Sequence, residues 1–62
     1  MSANLMTVGE VAEYLNVKPR WVYYAVSNEQ IPFVRLGRNL RFDADDIDLW
    51  LAENKSRPAP PA

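Results

Sequence analysis

The sequence predicts a mainly α domain with one small β-hairpin, in the order helix-helix-strand-strand-helix. Three observations predict it. Two apolar-periodic runs, over 8–15 and 19–27, are separated by only three residues. After the break at Ile31-Pro32, two short alternating runs flank Gly37-Arg38-Asn39. A third run, headed by Asp43, repeats Ile47, Trp50 and Leu51 at i, i+3 and i+4.

The first helix is expected over 8–15. Thr7 and Glu10 stand three apart as a capping box, in which each side chain satisfies a backbone N–H of the other's end of the first turn. Val8, Val11, Ala12 and Leu15 follow at helical spacing, and Asn16 can take the left-handed conformation that ends a helix. Pro19 suits the first turn of the second helix, where a missing N–H costs nothing. That helix is expected to reach Ser27 with Val22, Ala25 and Val26 inward, although Lys18 is a poor N-cap. The short spacer forces the angular packing of a helix-turn-helix.

Phe33 to Leu36 and Leu40 to Phe42 are read as a hairpin, with Gly37-Arg38-Asn39 at its tip. Val34, Leu36, Leu40 and Phe42 are expected on its inner face, with Arg35 and Arg41 outward. Asp43 caps the third helix and Asp45 and Asp46 lie in its first turn, where the helix dipole favours negative charge. That helix is expected to fade near Asn54. In domain terms, 1–5 reads as a flexible N-terminus, 6–54 as the folded domain and 55–62 as a disordered Pro/Ala-rich tail.

Sixty-two residues with no cysteine and no histidine allow one small apolar core and no disulfide or ordinary zinc site. No apolar run approaches the ~20 residues of a membrane span. No basic-then-apolar leader opens the chain, so a cytoplasmic protein is expected. The formal net charge of −1 hides a strong segregation. Residues 18–41 carry Lys18, Arg20, Arg35, Arg38 and Arg41 against Glu29 alone, a net +4. The remainder carries Lys55 and Arg57 against seven acids, a net −5. Steering of a polyanion depends on the local field, so the basic segment points to nucleic acid.

Catalysis is not expected: without histidine or cysteine it would fall to carboxylates, lysine, tyrosine or serine, and the only conspicuous group of these is the acidic run from Asp43. The acidic run Asp43-Ala44-Asp45-Asp46-Ile47-Asp48 lacks the glycine of a calcium loop and has Asn54 where such a loop needs glutamate. Helix capping accounts for it, and no metal or cofactor is expected. In a helix-turn-helix the second helix enters the major groove by its N-terminal residues, here Lys18, Arg20, Trp21 and, one turn on, Tyr24. Lys18 and Arg20 suit phosphate or guanine, and Tyr24 suits phosphate or a thymine methyl. Trp21 serves equally well as packing, Tyr23 reads as core-edge, and Tyr14 reads as packing or surface. The hairpin tip, with Arg38 and Asn39 between Arg35 and Arg41, suits the minor groove or flanking phosphates. The competing reading is a protein-interaction module that docks a partner through Trp21 and Tyr24.

Taken in order, Leu5-Met6-Thr7-Val8, Glu10-Val11-Ala12, Leu15, Val17, Trp21-Val22-Tyr23 and Ile31-Pro32 resemble the excisionase-type helix-turn-helix family. Arg35-Leu36-Gly37-Arg38, Arg41-Phe42, Asp45-Asp46-Ile47 and Trp50-Leu51 continue the likeness, which covers about residues 5–53. The resemblance implies a MerR-like winged helix-turn-helix that binds double-stranded DNA. Its second helix would read the major groove through Lys18, Arg20, Trp21 and Tyr24. Its wing would bring Arg35, Arg38, Asn39 and Arg41 to the adjacent minor groove or backbone. It further implies DNA recombination or transcription regulation as the role, an integrase or recombinase as partner, and a place at the nucleoid. Useful affinity from so small a module calls for tandem sites, cooperative self-association on DNA or a partner. The chain departs from the family pattern at Lys18-Pro19, at Tyr24 and at Asn28-Glu29-Gln30, where Asn28 is expected to supply the unusual backbone conformation.

Overall fold

Thr7 starts the first helix as the residue pattern requires. In the computed structural model, which describes residues 5–55, its Oγ1 accepts from the Glu10 N–H at 3.2 Å. Glu10 Oε1 accepts from the Thr7 N–H at 2.9 Å, closing the capping box. Helix α1 runs Val8–Leu15 and buries Val11 and Ala12. Asn16 ends it at φ 59°, and the next N–H groups turn back, Asn16 onto Glu13 O at 3.1 Å and Val17 onto Ala12 O at 2.9 Å. This is the paired closure of a Schellman ending, in which a left-handed residue lets the last carbonyls be satisfied.

Helix α2, Pro19–Ser27, begins with no side-chain cap from Lys18 and buries Val22, Ala25 and Val26. Its ending corrects the expectation for Asn28. Asn28 stays at φ −98° and donates its side-chain amide to Tyr24 O at 2.9 Å, while Glu29 takes the left-handed conformation at φ 52°. The Asn28 N–H still reaches Tyr24 O, so helical backbone persists through that residue and the reversal falls one position later. Glu29 N–H onto Val26 O and Gln30 N–H onto Ala25 O repeat the closure seen after α1.

Three antiparallel strands follow the sheet order β1-β3-β2, with β1 at Leu5–Met6, β2 at Val34–Leu36 and β3 at Asn39–Asp43. Strand β1 is an addition to the predicted order. Leu5, expected in the N-terminal segment, pairs with Asp43, and Met6 pairs with Phe42. The rest of the N-terminal segment and the tail from residue 56 lie outside the described residues.

The hairpin register overturns the expected face of β2, while Leu40 and Phe42 of β3 turn inward as expected. Leu36 pairs with Asn39, Arg35 with Leu40 and Val34 with Arg41, so the loop is two residues, Gly37-Arg38, rather than three. Gly37 has φ +62° and Arg38 has no positive φ, the φ pattern of a type II′ turn. Directly paired residues share a face, so Arg35 lies with Leu40 and Phe42, while Val34 and Leu36 lie with Asn39 and Arg41. Val34 and Leu36 are consequently exposed, whereas Phe42 is fully buried. A slip of one residue exchanges every side chain between faces.

Helix α3, Ala44–Glu53, is capped by Asp43, whose Oδ1 accepts from the Asp45 N–H at 2.9 Å. Ile47 is its buried anchor, Trp50 is half-buried, and Leu51 stays exposed. The core thus joins Val11 and Ala12 of α1, Val22, Ala25 and Val26 of α2, Ile31, Phe42 of β3 and Ile47 of α3. Helix pair, wing and closing helix make a winged helix-turn-helix.

Candidate nucleic-acid interface

Helical spacing sorts α2 into faces. Val22, Ala25 and Val26 are buried, which turns Arg20, Tyr24 and Ser27 outward on the opposite side. Two aromatic residues flank that outward face. Trp21 turns toward α3, where its ring centroid lies 6.5 Å from that of Trp50 at a tilt of 54°. Trp50 is itself held, donating its indole N–H to Gln30 O at 2.7 Å. Trp21 is therefore a packing residue with one edge free, at 38 % exposure, and Tyr24 is open at 59 %. Lys18 stands exposed at the head of the helix.

Tyr23 flanks the other side. Read from the sequence as core-edge, it is more than half exposed and lines a cleft of about 300 Å³. Thr7, Val8 and Gly9 at the head of α1 line the same cleft, with Arg38, Asn39, Leu40 and Arg41 of the wing. The cleft offers two guanidiniums, a phenol, an amide and the positive end of a helix dipole, groups that suit a phosphate oxygen. Sequence reasoning missed Tyr23 and Thr7 to Gly9. The available signal was Tyr23's place three residues after Arg20, on the edge of the polar stripe.

The structure brings Arg38, Asn39 and Arg41 together at this cleft and leaves the other cations elsewhere. Arg41 is half-buried, and its Nη1 donates to Leu40 O at 2.7 Å, which fixes the guanidinium beside its own strand. Arg35 faces the other side of the hairpin, with its guanidinium carbon 5.9 Å from the centre of the Phe33 ring. Arg38 sits exposed in the turn, without the backbone hydrogen bond that holds Arg41 or the ring that Arg35 leans over. Tyr14, on α1, donates its hydroxyl to Asp48 Oδ1 of α3 and ties those helices away from the basic segment. The Asp48 carboxylate holds the Tyr14 phenol above its ordinary value, first because it accepts the phenolic proton and then through its charge.

No curated protein and no solved structure matches this chain. No helix among the described residues is long and apolar enough to cross a membrane. A family model for the helix-turn-helix domain matches residues 5–55, the same stretch that folds into the helix pair, wing and closing helix just described. The chain belongs to the helix-turn-helix domain family.

Proposed function

We propose that this domain binds double-stranded DNA in a sequence-dependent way and without catalysis, α2 reading the major groove while the wing grips the neighbouring backbone or minor groove. One observation carries the reading. Tyr23 of α2 lines the same cleft as Arg38, Asn39 and Arg41, so the reading helix and the wing present one continuous surface. Arg20 and Tyr24 on the outward face of α2 then meet base edges and the phosphates beside them, with Lys18 on phosphate and the exposed edge of Trp21 at the rim. Arg38 and Asn39 reach furthest along the duplex, with Arg41 and Arg35 supplying field and support.

Such a module serves excisive recombination beside an integrase, or transcription regulation, since one fold hosts both roles. Its few contacts favour tandem sites, self-association along DNA or a second protein to reach useful affinity, and its place of work is the nucleoid. The test is selection of bound sequences from a randomised duplex library, followed by anisotropy titration of a selected and a scrambled duplex at about 50 mM salt. The selected duplex should bind at least about tenfold tighter, a modest share of the usual specific-to-non-specific ratio. Absence of binding to any duplex at that salt would overturn the reading.

A further inference from the structure

Helix α3 carries four carboxylates, Asp45, Asp46, Asp48 and Glu53, and no basic residue. Phosphate repels such a surface, so DNA binding leaves it uncovered. Yet it is not simply a solvated acidic face. Leu49, in the middle of it, is 62 % exposed, more than any other large hydrophobic side chain among the described residues. Asp46, Leu49, Trp50 and Glu53 recur at i, i+3, i+4 and i+7, and with Pro32 they line a groove of about 240 Å³.

The floor of this groove is rigid. The Trp50 indole is anchored by its hydrogen bond to Gln30 O, and its ring is backed by Trp21. The opening is smaller than the roughly 300–1,000 Å³ of small-molecule pockets, so it suits one or two side chains of a peptide rather than a cofactor. Its rim selects among peptides. Asp46 and Glu53 stand on either side of Leu49, one turn before and one turn after. An apolar side chain flanked by lysine or arginine satisfies floor and rim together. An acidic or uncharged neighbour on either side would leave the rim carboxylates unpaired.

From this juxtaposition we infer that the Pro32–Leu49–Trp50 groove is a docking site for a second protein, which inserts an apolar side chain between flanking basic residues. DNA and protein partner then occupy different faces of the domain, so each can be held without displacing the other.

The probe is a fluorescein-labelled amphipathic peptide of about 14 residues made of Leu and Lys, with a Leu and Glu counterpart as control, titrated against the full chain at low salt. The Lys peptide should bind at least about tenfold tighter than the Glu peptide, shifting the amide resonances of Leu49 and Glu53 and the Trp50 indole N–H. Leu49→Asp should weaken the Lys peptide about tenfold while leaving duplex DNA affinity unchanged. That substitution is decisive because it adds negative charge, so a merely electrostatic contact would strengthen. Its site is exposed, and an unchanged circular dichroism spectrum confirms the fold. The double reversal Asp46→Lys with Glu53→Lys should remove or invert the preference between peptides. Equal binding of the two peptides, retention by Leu49→Asp, or shifts confined to other faces would overturn the inference. So would self-association of the chain that Leu49→Asp abolishes, since the occupant would then be a second copy.

Discussion

Salt dependence of DNA affinity, compared between the parent chain and Arg38→Ala, puts the proposed interface to a quantitative test. Five cations lie in the basic segment, but the structure separates them. Lys18, Arg20, Arg35 and Arg38 are exposed, but Arg35 leans over Phe33, and the half-buried Arg41 is tied to Leu40 O. Each phosphate neutralised contributes about −0.9 to the slope of log affinity against log salt. Three contacts therefore predict a slope of about −2.7, a loss of about 40-fold between 50 and 200 mM. Five predict about −4.5 and a loss of about 500-fold. Arg38→Ala should flatten the slope by about 0.9 for every duplex sequence, because a phosphate contact carries no base identity. Arg35→Ala should flatten it less. Fluorescence anisotropy on a 20-base-pair duplex at three salt concentrations supplies the measurement. A parent slope shallower than about −2, or an Arg38→Ala slope equal to the parent's, would show that the exposed cations do not meet phosphate.

Three further outcomes follow from the fold. Phe42 is fully buried where β3 meets all three helices' core residues, and its replacement by alanine should cost about 3–5 kcal/mol. A chain of this length has about 3–9 kcal/mol in total, so thermal melting by circular dichroism should show Phe42→Ala mostly unfolded or shifted down by more than about 12 °C. Glu29→Gly should raise the melting temperature by about 4–8 °C, since a left-handed residue with a side chain costs about 1 kcal/mol that glycine avoids. No rise would mean that the Glu29 side chain repays its strain. The Tyr14 phenol is held above its ordinary value, so its hydrogen bond to Asp48 contributes stability below pH about 10 and loses it as pH rises through the folded-state value. Phenolate absorbance should show Tyr14 ionising at lower pH in Asp48→Ala than in the parent chain.

Local signals were legible wherever the physics is local. The Thr7–Glu10 capping box, the Asn16 reversal, Pro19 at the start of α2 and the Asp43 cap each depend on neighbours within a turn, and each forms as read. The candidate site was legible as residue types, basic and aromatic, along α2 and the wing. Its arrangement was not. The hairpin shows why: a three-residue tip and a two-residue turn are both compatible with Leu36-Gly37-Arg38-Asn39-Leu40, and the choice decides which face receives Arg35 or Val34. Strand β1 has two residues and no pattern of its own, existing only because β3 offers an edge to pair with. Glu29 rather than Asn28 turns left-handed because the Tyr24 carbonyl keeps Asn28 in helical register.

The sequence by itself determined the three helices, their order, the break at Ile31-Pro32 and the concentration of positive charge between residues 18 and 41. These follow from caps, periodicity and composition, whose range is a few residues. Only the tertiary structure decided which cations are free, that Trp21 leans on Trp50, and that Tyr23 joins the wing at one cleft. It alone left Leu49 bare amid carboxylates. Those outcomes depend on how residues distant in the chain share one core, eight buried side chains among the described residues, and short-range preferences carry no information about that.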